Sequence, residues 1–498
     1  MLDRHVSEKQ KTGAKRSDRG GEDANASGLV AELIARAREA QAIANRYDQV
    51  MADLLATAAG WAIMEPSRNR FLAELAVADT GLGNVADKIQ KNHRKTLGLL
   101  RDLEGAKSVG IIAEDAMTGI TEIARPAGVV AAITPSTNPG ATPANKIINA
   151  LKGRNAVVLA PSPKGWTTCA KLVEFVHAEL DKLGAPRDLV QLLPAPVTKP
   201  TTLELMRQAD LVVATGSQAN IRAAYASGTP AFGVGAGNVA SIVDRSADLE
   251  LAARQIAISK CFDNATSCSS ENSLVLHAAI HDAMLGALAR NGGVLLDSEE
   301  RVGLQAALFP GGKLSPEMIA KDAPTIAAKA GLRGERFRSS RFLMVAEDGF
   351  GPAHPFSGEK LSPVLAIYRA GDFAEATRIV ERIYEYQGAG HSVGLHTRDE
   401  HQGTELGLTL PVSRVIVNQA HCIATGGSFD NGLPFSLSMG CGTWGENSFS
   451  DNMNYRHYLN ITRISRVISE RLPDEAEIFS AYFMRTSTGW TKARGGAG

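Results

Sequence analysis

Cysteine is scarce in this chain. There are five in 498 residues, Cys169, Cys261, Cys268, Cys422 and Cys441, odd in number and without any CxxC spacing. Disulfide frameworks and zinc knuckles leave paired, closely spaced cysteines, so neither is expected, nor is any other metal site. Excess charge of one sign is missing too: 53 Lys and Arg balance 53 Asp and Glu. No net field therefore draws the chain to nucleic acid or an anionic membrane. No apolar run reaches the ~18–20 residues needed to cross a bilayer. Residues 1–27 are polar, without an apolar core segment, which excludes a secretory signal and reads as a disordered tail. A cytoplasmic protein in a reducing compartment is expected, with neither nucleic acid nor membrane as partner.

What is present is ordinary globular material, 44% hydrophobic and 21% charged, long enough for two or three domains. Leu29, Leu33, Ala37, Ala40 and Ile43 recur at helical spacing, and helical pattern continues to about Leu103. From Gly128 the pattern changes to short apolar runs: 128–133, 156–160, 189–193 and 210–214. Helices lie between them, one with Thr142 as expected N-cap and Gly153 past its end, another over 166–183. Continuous apolar strands alternating with helices predict a parallel sheet covered on both faces. A second series begins at Val239, with a helix from Asp248 and strands at 273–277, near Val393 and at 414–418. The capping box Asp372-x-x-Glu375 opens another helix. The glycine- and serine-rich stretch 426–454 has no period and reads as a functional loop. The fold class is α/β, with two doubly wound parallel-sheet domains.

Gly233-Val234-Gly235-Ala236-Gly237 has the look of a dinucleotide phosphate loop. Such glycines follow a strand and open a helix; here an apparent strand comes next, so that reading is set aside. Ala214-Thr215-Gly216-Ser217 lies between a buried strand and a helix, where backbone amides could hold a pyrophosphate. Cys268 sits in a small polar loop, Asn264 to Asn272, between a helix and a strand. Such a loop can expose a thiol and aim N–H groups at it. An inert core thiol is the alternative reading of the same residues, and the local sequence leaves both open. Cys169, Cys261, Cys422 and Cys441 read as packing residues.

Taken in order, ITPSTNPG (133–140), VVATGS (212–217), FGVGAGN (232–238), NATSCSSEN (264–272), EKLSPV (359–364) and GCGTWGEN (440–447) resemble the aldehyde dehydrogenase superfamily. More narrowly the chain is similar to its coenzyme-A-acylating branch, and within that to the acylating sulfoacetaldehyde dehydrogenases, by overall character and not by a pocket derived from residues. The resemblance spans 29–467. It implies a nicotinamide-cofactor-binding domain over 28–238 and a catalytic thiol domain over 239–430. A C-terminal segment, 431–498, returns to the active site and ends in a tail, and a small oligomerisation element accompanies a homodimer or homotetramer.

The resemblance also assigns roles. Cys268 takes the nucleophile position and Asn138 that of the oxyanion donor. Gly216 and Ser217 match the pyrophosphate turn, and Glu359 the carboxylate that orients the nicotinamide ribose. His391 matches a histidine of the acylating branch that could handle the thiol proton of coenzyme A. Two departures are informative. Water-using relatives carry a glutamate base where this chain has Val234. A ribose-binding lysine is replaced by Ala160, followed by Ser162 and Lys164, which could receive a 2′-phosphate; NADP or NAD is therefore expected. The expected reaction is reversible oxidation of a small aldehyde to its acyl-CoA through a Cys268 thioester. The alternatives are an aldehyde dehydrogenase releasing carboxylate and a non-redox cysteine acyltransferase.

Overall fold

The computed structural model describes residues 5–235 and 237–486, with side chains from Asn25 onward. Four helices open it: α1 (His5–Ala44), α2 (Gln49–Met64), α3 (Pro66–Thr80) and α4 (Val85–Leu103). Where a loose tail was expected over 1–27, the backbone from His5 continues α1; residues 1–4 lie outside the described residues. That segment carries Lys, Ala, Arg and Glu, good helix formers, alongside three glycines. The α2 and α4 starts are fixed by side-chain caps, Asp48 accepting from the Met51 amide and Asn84 from the Asp87 amide.

Strands β1 (Gly110–Asp115) and β2 (Ile120–Pro126) then form an antiparallel hairpin absent from the sequence reading. After it come β3 (Val129–Thr134), α5 (Ala141–Lys152), β4 (Ala156–Pro161), α6 (Trp166–Lys182), β5 (Val190–Leu192), α7 (Lys199–Gln208), β6 (Leu211–Thr215), α8 (Gln218–Tyr225) and β7 (Ala231–Val234). The strands form one parallel sheet in the order β5-β4-β3-β6-β7. Every residue of β3 and β4 is buried, as a sheet covered on both faces requires. The α5 helix begins one residue before the expected cap. Gly140 flanks it, and Thr142 is buried in its first turn. Beneath β3 and β6 the buried Lys146 amine donates to the Ile133 and Val213 carbonyls at 2.6 and 2.8 Å, tying together the two strands at which the strand order reverses.

The second sheet has seven parallel strands. They are β8 (Val239–Val243), β9 (Glu271–His277), β10 (Gly293–Leu295), β11 (Phe342–Ala346), β12 (Val364–Ala370), β13 (Val393–His396) and β14 (Val415–Val417), ordered β10-β11-β12-β9-β8-β13-β14. Helix α9 (Leu249–Cys261), capped by Asp248, joins β8 to β9, and Asp372 caps the helix Phe373–Tyr386. A last strand, β15 (Leu459–Ser465), returns to pair with β2 in a three-stranded antiparallel sheet, and the helix Glu475–Thr486 follows. Among the described residues no helix is long and apolar enough to cross a membrane.

Candidate active site

Parallel pairing aligns the amino-terminal ends of the central strands of the second sheet, with Val239 beside Glu271, Ser273 beside Ala366, and Ala240 beside Val393. The residues just before these strands therefore share one edge: Gly237 before β8, Cys268 before β9, Glu359 before β12 and His391 before β13. Four segments far apart in sequence converge there because one register holds them.

Cys268 follows an unusual piece of backbone. Asp263, Asn264 and Ala265 all have positive φ, 50°, 51° and 58°. This region is costly for residues with a Cβ and persists only where surroundings enforce it. The enforcement is visible at Asp263, whose fully buried carboxylate accepts from Lys88 at 3.0 Å, Lys91 at 2.5 Å, Thr266 at 2.8 Å and the Asn84 amide at 3.0 Å. Burial opposes its charge, but the Lys91 and Lys88 amines hold it below the usual carboxylate range. Helix α4 is thereby bolted to the cysteine loop. The same Lys91 amine donates to Asn138 Oδ1 at 2.8 Å. That fixes the amide orientation and leaves Nδ2 without a partner among the described residues.

Cys268 Sγ lies 3.4 Å from His391 Nε2, and His391 Nδ1 lies 2.7 Å from Ser392 Oγ. Both contacts are satisfied when Nδ1–H donates to the serine and Nε2 accepts from the thiol. Burial, with the charge of Arg414 and nearby His421, lowers the imidazole to about 3. Burial, with Glu359 and Cys441 close by, pushes the Cys268 thiol up to about 12. The pair is thus a neutral thiol against a neutral base. Arg414 holds the His391 carbonyl at 3.2 Å and that of Gly440 at 2.9 Å, fastening the returning 440s loop to the site. Burial raises Glu359 to about 8, against the pull of the Gly237 amide and of Lys260 and Lys360.

The dismissed glycine run acquires a different purpose. A Cβ on Gly237 would lie 2.5 Å from the Cys268 carbonyl oxygen, and one on Gly235 would meet Gln218. These glycines let the segment after β7 pass directly behind the cysteine. Val234 is 2% exposed, and its carbonyl accepts from the Gly216 amide at 3.3 Å.

That contact leads to a cleft of ≈ 580 Å³ at the carboxyl ends of β3, β4 and β6, lined by Ser136, Ser162, Thr198, Lys199, Gly216 and Ser217 among others. It lies where the strand order reverses, the position at which such sheets take nucleotides. Ser217 caps α8, accepting from the Asn220 amide, and Gly216 has a φ of 151°. Ser162, Gly216 and Ser217 are thus brought together. Lys164 is exposed in the turn Pro163–Gly165 and is not in the cleft wall, whereas Lys199, at the first turn of α7, is. Of the other thiols, Cys169, Cys422 and Cys441 are buried, and Cys261 donates weakly to the Arg341 carbonyl.

Residues 24–292 match the model of the aldehyde dehydrogenase family. The chain is 64% identical over 456 residues, 92% of each protein, to an acylating sulfoacetaldehyde dehydrogenase of Cupriavidus necator. It is 42% identical to another of Bilophila wadsworthia, over 88% of this chain and 95% of that one. Among solved structures, an acetylating aldehyde dehydrogenase of Geobacillus thermoglucosidasius superposes with a TM-score of 0.86 at 33% identity, covering 91% of this chain and 99% of the other. The two parallel sheets, the small antiparallel sheet and these matches agree: the chain belongs to the aldehyde dehydrogenase family, in its coenzyme-A-acylating branch.

Proposed function

We propose that this protein oxidises sulfoacetaldehyde and passes the acyl group to coenzyme A, with Cys268 as nucleophile. The observation that carries the reading is the Cys268–His391 contact, a thiol with a base at hand, together with a buried valine at position 234, where water-using relatives carry a glutamate. The name of the Cupriavidus relative supports the substrate.

Cys268 Sγ attacks the aldehyde carbon, and its proton goes to His391 Nε2. Asn138 Nδ2, aimed by the Lys91 bond to Oδ1, donates to the oxyanion together with the Cys268 amide. Gly216 and Ser217 would hold the pyrophosphate of a nicotinamide cofactor and Glu359 its ribose; bound there, the cofactor would accept the hydride. After His391 Nε2 has released the first proton to solvent, it takes the proton of the coenzyme A thiol as that sulfur attacks the Cys268 thioester, and returns it to Sγ as the acyl-CoA leaves. Because the thioester retains the oxidation energy, the sequence runs in both directions. Ser162 and Lys199 in the cleft wall favour acceptance of a 2′-phosphate, hence NADP as well as NAD. A homo-oligomer fits the exposed Val467, Leu472, Ile478 and Phe479 beyond β15.

The test is direct. Purified protein is incubated with sulfoacetaldehyde, coenzyme A and either cofactor, and sulfoacetyl-CoA is sought by mass spectrometry. Formation of other acyl-CoA products but not this one would remove the substrate; free sulfoacetate without coenzyme A would remove the acyl transfer.

A further inference from the structure

A second, smaller cavity of ≈ 30 Å³ lies beside the cysteine loop, walled by Lys91, Arg94, Lys95, Asn138, Ser267 and Cys422 among others. Its room is that of about two water-sized groups, the scale of a substrate headgroup and far below that of a nucleotide. Three of the walls are cations on one face of α4, at spacings of three and four residues.

Their partners do not balance them. Lys88 and Lys91 share one carboxylate, Asp263, and the three donors of Lys91 are occupied by Asp263, Thr266 and Asn138. Lys95 is 8% exposed and donates to the Gly426 carbonyl at 2.7 Å, with Gly427 at 3.4 Å; among the described residues no carboxylate bonds it. Arg94 uses two of its five N–H groups, on the Ile423 carbonyl at 3.3 Å and Ser428 Oγ at 2.7 Å. Its guanidinium rests against Phe429 and Phe435, 5.7 and 5.5 Å from the ring centres. Phe435 can come that close to α4 because residue 98 is glycine; a Cβ there would lie 2.3 Å from the ring. Asp430 is the acidic group that acts on Arg94, and Ser428 Oγ donates to it. Burial, with Arg94 beside it, lowers the Lys95 amine to about 7.

A buried cation without a counter-ion is costly unless something completes it, and Lys95 is in that position. We propose that this cavity is the headgroup site for an anionic aldehyde, in which Arg94 and Lys95 bind the anion while Asn138 and Cys268 meet the carbonyl. The proposal rests on the reading of the substrate as a small acidic aldehyde, and it names the residues that select it. A sulfonate or carboxylate accepts from Arg94 and Lys95 together. A neutral aldehyde leaves the buried Lys95 amine without an anionic partner and the half-buried Arg94 with N–H groups unused, and sites built this way reject analogues lacking the polar group by large factors.

The experiment compares kcat/KM for sulfoacetaldehyde, succinic semialdehyde and propanal in wild type, Arg94→Met and Lys95→Met, with melting temperatures for each. In the wild type sulfoacetaldehyde is expected to be favoured over propanal. Each variant should lower that ratio by ~10–10²-fold, the effect of losing one charge-assisted contact. An unchanged ratio in both variants overturns the headgroup site and leaves the substrate reading standing. A wild type that uses propanal but neither anion overturns the substrate reading itself. Preference for succinic semialdehyde keeps the anion site and removes sulfonate as its ligand. Should the variants not fold, ethanesulfonate is tested on the wild type against neutral ethyl methyl sulfone. Competitive inhibition by the sulfonate alone supports the site, and equal inhibition overturns it.

Discussion

Cys268 Sγ and His391 Nε2 stand 3.4 Å apart as two neutral groups, the thiol raised to about 12 and the imidazole lowered to about 3, chiefly by burial. The Cys268 thiol is therefore protonated in the free protein, the state from which the proposed nucleophile must start. With the thiol pKa raised, the thiolate fraction grows with pH and does not level off below that value. Alkylation of Cys268 by iodoacetamide, followed by peptide mass spectrometry, should accelerate about tenfold per pH unit between pH 7 and 10. A plateau in that range would mean a preformed thiolate.

Replacement separates the cysteines. Cys268→Ala is expected to abolish turnover, while Cys261→Ala, at the end of α9, and Cys441→Ala, packed in the 440s loop, retain measurable activity. Initial rates with aldehyde, coenzyme A and cofactor decide it. A Cys268→Ala enzyme of wild-type rate would end the mechanism.

His391→Ala should slow steady-state turnover by ~10²–10⁴-fold at pH 7, the usual contribution of a positioned base. The deficit should shrink toward pH 9 as coenzyme A ionises on its own, near a thiol's ordinary pKa of about 8.5. A loss that stays constant with pH would assign His391 to packing between β13 and Gly237.

For Asn138→Ala, kcat should fall by roughly 10²–10³-fold with little change in KM, as for other single oxyanion donors. Lys91→Met should give a smaller fall of the same kind, since Lys91 acts by orienting Asn138, together with a lower melting temperature from the bonds lost to Asp263. A change confined to KM would make Asn138 a binding residue.

How much of this was legible depends on the range of the contacts. Strands β3, β4, β6, β8 and β9 announce themselves because both faces are buried and the local run is apolar. The β1–β2 hairpin does not, since its third strand is supplied from far away, Arg125 pairing with Asn460. Cys268, His391 and Glu359 could be named from motifs, but their meeting depends on the register of a sheet that no local pattern encodes. Lys88, Lys91 and Lys95 recur at helical spacing, but only the fold turns that face inward onto Asp263 and the cavity. Lys164 lies two positions from Ser162 yet is exposed outside the cleft wall, and Lys199, 35 positions later, lines it.

That exchange has a consequence for the cofactor. Lys164→Ala should leave kcat/KM for NADP and NAD within about twofold, as for an exposed side chain without a partner. Lys199→Ala should lower kcat/KM for NADP relative to NAD by ~5–10-fold, the loss of about 1 kcal/mol from one exposed phosphate contact. Equal effects on both cofactors would show that Lys199 does not meet a 2′-phosphate.

The acyl acceptor gives the sharpest test. Hydrolysis of the Cys268 thioester needs a base on water, a contribution of ~10²–10⁴-fold, and Val234 cannot accept a proton. Glu359 acts electrostatically on Cys268, but its carboxyl is raised to about 8 by burial and carries its proton at neutral pH. Coenzyme A needs less help, because a thiol is more nucleophilic than water and ionises far more readily. Without coenzyme A, stopped-flow absorbance should show a burst of about one reduced cofactor per competent site, then slow turnover; adding coenzyme A should restore fast turnover. The sign for Glu359 is fixed by its raised pKa. The carboxylate becomes available as pH rises through about 8, so the slow coenzyme-A-independent rate should climb across that range. A slow phase that is flat with pH would remove Glu359 as the residual base. Fast multiple turnover to free carboxylate at neutral pH would mean that another group activates water and that the enzyme is not committed to coenzyme A.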